Sequence, residues 1–494
     1  MGGQFQIVLL LVSIPMLAAC GCQSIKPTPE QLGQVDDLVR RRTGVNWDAR
    51  LLLAAALPAP EPPTGALTLE DATERALRRN LSLVASAESL TIAHAQLVQA
   101  GLIQNPTVGQ TSATLWPLSP AVGAVSFDLL ISETLNSIIT QPGRVAVAKV
   151  QQVQAGIDLA TQTFTLAQQV DAKYQEMIHL QRARRLAQRI AELYARAVQA
   201  AEARRRVGVI PTPELNRARL SYEDARRQVQ HLTTQYARAA REMNWLMGYS
   251  TPPQWQLPQA VIDEVGDVPP LPAEQMLEAI ALRYRLDLLR ADLDRKLGVK
   301  GVELARLGLI PQTTIGFDYA RDSSRNTFIG PQFQLTLPIF DPGLVALQTA
   351  QAQARKADKT YTALEGQVRQ DVRSALTNWK IASDDVTFYR QRLIPQQEEN
   401  VRLMEKSFRL GNDDLDTLLN VYQNYVQQLQ SYEDAIQAYH DSGVGLQQAV
   451  GLAWQRMLAE AHVRAVTQPA TTQSTTLPIL TWPSTAPATT EPLQ

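Results

Sequence analysis

The stretch from Arg206 to Gly248, RVGVIPTPELNRARLSYEDARRQVQHLTTQYARAAREMNWLMG, returns in a second version from Arg409 to Gly451. Laid side by side, Arg206 falls on Arg409, Gly208 on Gly411, Leu215 on Leu418, Tyr222 on Tyr425, Tyr236 on Tyr439 and Gly248 on Gly451. Each copy reads as a turn followed by a helix, and each follows a longer helical run that itself follows strand-like sequence. A duplication limits the fold more than composition does, because one packing solution must serve twice. The 494 residues, about three domains on an ordinary prior, therefore read as one elongated unit with repeats at 67–250 and 272–456. Between them, Thr251 to Pro272 holds six prolines, and 251–271 reads as an irregular linker packed on the rods.

The charge balance of 47 Lys+Arg against 48 Asp+Glu leaves no basic excess for nucleic acid, so none is expected as a partner. Both cysteines, Cys20 and Cys22, sit at the N-terminus, which rules out a disulfide framework in the body. His94, His179, His231, His440 and His462 have no partners at metal-ligand spacing. No phosphate loop, nucleophile elbow or dinucleotide fingerprint is present. Neither an enzyme, a cofactor nor a metal centre is expected.

The start carries an apolar run, Ile7 to Leu17, too short to span a bilayer, followed by Leu17-Ala18-Ala19-Cys20. That tetrapeptide resembles a bacterial lipobox, although no Lys or Arg precedes Ile7. The expectation is a lipoprotein-type signal peptide at 1–19 with Cys20 as the lipidated residue; the alternative is an ordinary signal peptide cut near Ala19. Gly21 in place of Asp, by resemblance to sorted lipoproteins, favours the outer membrane. Residues 20–66 read as a tether. It holds a helix start at Thr28-Pro29-Glu30, with proline at the first helical position, and a stop at Pro58 to Pro63. The Thr/Pro-rich tail, 457–494, is expected to be disordered.

A helix is expected from Thr68, capped with Asp71, to about Gln104. Strand-like segments follow at about Thr107 to Trp116 and Ala124 to Ser132. In the second, Phe127, Leu129 and Ile131 alternate with Ser126, Asp128 and Ser132. In the second repeat Ile315, Phe317 and Tyr319 alternate with Thr314, Gly316 and Asp318, and Ile329, Phe333, Leu335 and Leu337 with Gly330, Gln332, Gln334 and Thr336. Strands of about ten residues with one apolar face suit a transmembrane β-barrel. Half-buried hairpins on a soluble sheet give the same pattern. In the barrel case Ser126, Asp128, Thr314, Asp318, Gln332, Gln334 and Thr336 face the lumen. Four strands cannot close a barrel, and open edges in lipid cost several kcal/mol per unsatisfied group, so several chains must share one.

From Arg144 to about Val207 the sequence predicts a rod of about 95 Å. Two apolar seams run along it, one through Val150, Ile157, Phe164, Tyr174 and Ile178, the other through Ala148, Leu159, Leu166, Val170 and Met177. Two seams require neighbours on both flanks. Gln151, Gln152, Gln154, Gln162, Gln168 and Gln169 are left as exposed positions. The second repeat predicts a helix from about Pro272 to Gly308 and a rod from about Gly343 to Leu410, kinked at Pro395. A compact bundle with one wide apolar face is the alternative.

The order of helix, hairpin, long helix, turn and helix, given twice, resembles the TolC-like outer-membrane efflux channels. The local wording does too: LTLEDATERALRRN from Leu67, LIQNPT from Leu102, QPGR from Gln141, LTLPIFDPG from Leu335 and the Arg-x-Gly turns. The resemblance covers about residues 67 to 456. It implies a mainly α fold with a small β part: duplicated long-helix hairpins forming a trimeric α-barrel, and four strands per chain entering a shared 12-stranded transmembrane β-barrel in the outer membrane. The implied partners are two further copies of the chain, a periplasmic adaptor (membrane fusion protein), an inner-membrane pump of the resistance-nodulation-division type and outer-membrane lipid.

By position, adaptor docking and the tunnel aperture fall to Arg206, Gly208, Pro211, Glu214 and Leu215, with Arg409, Gly411, Asp413, Asp414, Asp416, Thr417, Leu418 and Asn420. Some family channels carry Asp rings six and nine residues after the second tip glycine. Thr417 and Asn420 stand there in this chain, with Asp413, Asp414 and Asp416 as nearby carboxylates. The plain alternative for these acids is helix capping and dipole stabilisation, about 0.3 to 1 kcal/mol each. The expected function is a passive duct exporting drugs or heavy-metal ions. Type I protein secretion and a soluble periplasmic coiled-coil scaffold are the competing readings.

Overall fold

The structure is a computed structural model that describes residues 27–45, 47–53, 63–110, 127–260, 271–321 and 327–467. The signal segment 1–19, Cys20, Ser126 and the tail beyond 467 lie outside these residues, as do the side chain of Asp128 and the linker residues 261–270.

Before the first repeat come α1 (Pro29–Thr43) and α2 (Ala49–Leu52). After β1 (Thr64–Ala66), the first repeat contains α3 (Leu69–Arg79), α4 (Leu81–Gly101), β2 (Thr107–Gln110), β3 (Phe127–Thr134), α5 (Leu135–Arg206) and α6 (Thr212–Leu246). The second begins after β4 (Gln254–Gln256) with α7 (Glu274–Tyr284), α8 (Leu286–Leu307), β5 (Thr313–Arg321) and β6 (Thr327–Leu335). It continues with α9 (Leu344–Phe388), a π turn (Tyr389–Leu393), α10 (Ile394–Leu410) and α11 (Leu415–Val450), and α12 (Trp454–Thr467) follows.

The duplication is plain in three dimensions. The helix expected over Thr68 to Gln104 is two helices. Asn80 breaks it, its side-chain oxygen accepting from the amides of Ser82 and Leu83 while its amide nitrogen donates to Leu246 O at 3.0 Å. The expected Pro272–Gly308 helix breaks likewise, at Arg285, whose guanidinium bonds Asp287 and Asp371. Onto each break rests the glycine that ends the returning helix of the same repeat, Gly248 against Arg79 and Gly451 against Arg285. Both glycines are left-handed, at φ 80 and 78.

The first rod, α5, is 72 residues long, about 108 Å. It starts nine residues before the expected Arg144, running straight on from β3 with Pro142 inside it. Pro142 has no N–H to give, and Arg144 Nη2 donates to the nearby Ser137 O at 3.0 Å. Every named seam residue is buried or half-buried. The rod packs against α6, α4, α8, α11, α1 and α3, so it does have neighbours on both flanks. Three of the glutamines expected in water are instead buried. Gln152 meets His94 Nδ1 at 3.0 Å and Gln154 donates to Asp294 at 2.8 Å, bonds to neighbouring helices that the sequence does not display.

Helix α4 is long and apolar enough, by composition, to cross a membrane. It lies instead along the rod, burying Leu83, Ala87, Leu90 and Ala93. Helix α1 begins with the expected Thr28 cap, a full capping box with Gln31. It is more than a tether, because it straps both repeats. Val35 packs on the first rod at Gly156, and the buried Arg42, its pKa pushed down to about 10 by burial, donates to Tyr284 O at 2.9 Å. The linker is also more regular than expected, since β4 pairs in parallel with β1. Residues 457–467, expected to be disordered, are helical instead: α12 continues to Thr467 and buries Met457 and Ala461 in the second-repeat core.

The four remaining strands form one sheet in the order β2-β3-β5-β6, antiparallel throughout. Across the ladder Val108 pairs with Ile131, Ile131 with Phe317 and Phe317 with Pro331, so one face carries Val108, Ile131, Phe317, Ile329 and Phe333. That apolar face is bare, with Phe317 68% and Ile329 74% exposed. Among the described residues, β2 and β6 each have one unpaired edge.

Candidate functional site

The two repeats end in two turns side by side. The first rod stops at Arg206, and Gly208 at φ 79 turns the chain into α6 through Pro211. The second stops at Leu410, and Gly411 at φ 82 turns it toward Asp414, which caps α11 by accepting from Thr417 N at 2.7 Å. Nothing lies within 4 Å of a Cβ built on either glycine, so these positions are fixed by the turn and not by crowding.

Three contacts tie one turn to the other. Arg204 places its guanidinium 3.7 Å from the centre of the Phe408 ring and donates to Phe408 O at 2.6 Å. Arg217 on α6 pairs with Asp416 on α11 at 2.5 Å. Beneath them Leu215, Leu418, Ile210, Leu415 and Leu419 share one apolar core. Leu215 and Leu418, expected among the docking and aperture residues, are therefore core: a turn needs a plug, and the residue one helical turn into each returning helix supplies it.

The other tip residues divide by environment. Arg206, Gly208, Pro211, Arg409, Gly411, Asp414 and Asn420 are exposed, and Glu214, Asp413, Asp416 and Thr417 are half-buried. Asp413 accepts from the Ser407 hydroxyl. Hydrogen bonds from the Thr417 side chain and backbone hold the Asp414 carboxyl below its ordinary range, as helix capping dictates. Asp416 differs, because its Oδ1 is shielded and has no hydrogen-bond partner among the described residues. Three bare apolar side chains, Val207, Val209 and Leu410, stand at the extreme tips. Sequence reasoning passed over them in favour of charges, although apolar residues in a turn were the available signal.

At the other end, Thr314, Asp318, Gln332 and Gln334 share the sheet face opposite Phe317. Thr336 lies one residue beyond β6 and extends the ladder by donating its N–H to Gln312 O at 2.9 Å. The rods between carry a half-buried ionisable band, with Asp441 at its exposed edge, that the sequence reading did not include. Burial lowers His179 and pushes His440 down to about 4, with Arg182 and His179 adding repulsion at His440. Burial raises Glu433 and Asp441 beside them. Among the described residues no three His, Cys, Asp or Glu side chains converge as a metal site.

The His440 shift sets a pH dependence. Its folded pKa lies below the unfolded 6.5, so it stabilises above pH 6.5 and that contribution is lost as pH falls toward 4. The shift is worth about 3 kcal/mol at most. Thermal unfolding of the detergent-extracted protein at pH 7 and pH 4.5 should show His440→Gln losing less stability on acidification than the parent. An equal loss would remove His440 from the band's acid response.

A sequence model described as outer membrane efflux protein matches residues 279–452. The cobalt-zinc-cadmium resistance protein CzcC of Cupriavidus metallidurans is 26% identical over 394 residues, covering 76% of this chain and 90% of that protein. Crystal structures of CusC superpose with a TM-score of 0.66 at 16% identity, covering 81% of this chain and 98% of that one. The open-state MtrE outer membrane channel of Neisseria gonorrhoeae superposes with a TM-score of 0.61 at 17% identity, covering 78% and 89%. The duplicated rods, the bare-faced four-stranded sheet and the paired turns are the fold of these solved channels, and within it residues 279–452 are similar to the outer membrane efflux proteins.

Proposed function

We propose that three copies of this chain form a passive duct through the outer membrane and periplasm, which a periplasmic adaptor and an inner-membrane pump of the resistance-nodulation-division type engage at the tips to export heavy-metal cations. The observation that carries the duct is the sheet. Its apolar face is bare on one side, polar groups line the other, and two strand edges are left unpaired. In lipid such edges must be satisfied, and pairing β6 of one copy with β2 of the next closes a barrel with no edge left. Thr314, Asp318, Gln332 and Gln334 then face the water-filled lumen. Lipidation of Cys20 would add a second attachment to the same membrane. Likeness to a cobalt-zinc-cadmium resistance protein supports metal cations over drugs as cargo.

Docking is assigned to Val207, Val209 and Leu410 with the charges around them. A photo-crosslinker in place of Val209, in intact cells, should capture a periplasmic adaptor, and loss of the chain should raise sensitivity to cobalt, zinc or cadmium. Capture of no adaptor while the protein sits in the outer membrane would overturn the docking assignment, and unchanged metal tolerance with raised drug sensitivity would reassign the cargo.

The Arg217–Asp416 pair acts as a latch between the two tips. Both side chains are about half exposed, so one pair is worth roughly 0.5 kcal/mol. Three pairs opening together sum to about 1.5 kcal/mol, about tenfold in the open-to-closed ratio. Asp416→Ala is expected to raise open time about tenfold in planar bilayers. No change would remove the latch.

A further inference from the structure

Immediately below the sheet the chain leaves one aromatic side chain with nothing to touch. Phe340 is 98% exposed and its neighbour Ile339 75%. They sit on a held loop, not a loose one. Thr336 N donates to Gln312 O, Ile339 N to Leu337 O in a three-residue turn, and Gly343 N to Asp341 Oδ1. At the foot of β2, Leu102 and Ile103 are 58% and 50% exposed, and this segment is held too, since Arg144 Nη2 donates to Leu102 O.

These two bare feet belong to the two unpaired edges. The strands alternate in direction, so β6 of one copy meets β2 of the next antiparallel, with their feet at the same end. Counting across the ladder, Thr107 is level with Ser132, Ser132 with Gly316 and Gly316 with Gln332. Leu102 and Ile103 precede β2 and Ile339 and Phe340 follow β6, so both apolar pairs hang from this same end of the sheet, and the shear of barrel closure sets the offset between copies. An ordered loop presenting an uncovered aromatic ring beside an ordered apolar segment has the form of a packing anchor and its socket.

We propose that Phe340, with Ile339, packs against Leu102 and Ile103 of the neighbouring copy, an apolar clasp that closes each seam just below the barrel where strand pairing has ended. The clasp rests on the shared-barrel reading above. It commits the LPIFDPG loop to a second copy of this chain and not to lipid, and it makes the short segment 102–106 the acceptor.

The test replaces Phe340 with benzoylphenylalanine in the full chain, irradiates outer-membrane fractions and maps the products by mass spectrometry. The expected product has twice the chain mass and joins position 340 to residues 102–106 of another copy. Phe340→Ser should lower the fraction of detergent-resistant trimer about tenfold, while Phe340→Leu should keep it. A trimer in which the probe labels only lipid, its own chain or a different surface overturns the clasp alone. A monomer on sizing the extracted parent protein overturns the shared barrel and the clasp with it.

Discussion

Gly248→Ala is expected to lower the unfolding free energy by about 2 to 5 kcal/mol. The residue is left-handed at φ 80, which costs an alanine about 1 to 2 kcal/mol. The added Cβ would also stand 2.5 Å from Arg79 O and 3.0 Å from its carbonyl carbon. Those are backbone atoms at a helix end and cannot swing aside, so overpacking adds about 1 to 3 kcal/mol. Gly208 is the control: it has the same φ, near 79, in open space, so Gly208→Ala should cost only the conformational part. Urea unfolding of the two variants separates the terms. Equal losses would mean that the returning helix does not rest on the Arg79 turn.

Phe317→Arg is expected to abolish assembly in the outer membrane, with trimer yield falling more than tenfold, whereas Gln332→Arg should assemble. Phe317 lies mid-strand on the bare face, opposite Ile131 and Pro331. An arginine at the bilayer midplane costs about 2 to 4 kcal/mol, and a trimer bears that cost three times. Gln332 pairs with Gly316 on the other face, where a charge meets water and should shift ion selectivity toward anions. The measurement is protease-protected trimer in membrane fractions, followed by reversal potential for the variant that assembles. Two variants that behave alike would refute the assignment of the faces.

Much of this architecture was legible because it is written in periodicity. Strand alternation around Phe317 and Phe333 and the twin seams of the rod depend only on spacing, and the duplication exposes itself as repeated spacing. The misplaced features are those settled by distant partners. Asn80 breaks a helix by capping Ser82 and Leu83 while Leu246, 166 residues away, accepts from its amide, and no local glycine or proline announces the break. Pro142 precedes the expected rod start at Arg144, yet it lies within the rod, where Arg144 bonds the neighbouring Ser137 carbonyl. Gln152 and Gln154 look like solvated positions until His94 and Asp294 reach them. At the tips, spacing located the turns and charge drew attention to the acids. It did not separate Leu215 and Leu418, which plug the turns, from Val207, Val209 and Leu410, which stand bare. That division depends on which side of each turn the second repeat occupies.

The π turn at Tyr389–Leu393 has a mechanical consequence. Its hydrogen bonds span five residues, and the next helix opens with Pro395 at its start, which contributes no N–H. The backbone ladder is therefore thinnest here, while aromatic contacts from Tyr389 to Phe388 and Tyr432 hold the side-chain packing together. The 17 residues of α10 below it form an arm of about 26 Å. A tilt of about 5° at the turn displaces Gly411 by about 2 Å, roughly the difference between a made and a broken ion pair. With the upper rod stationary, the lower tip thus works as a lever whose fulcrum is that single thin turn.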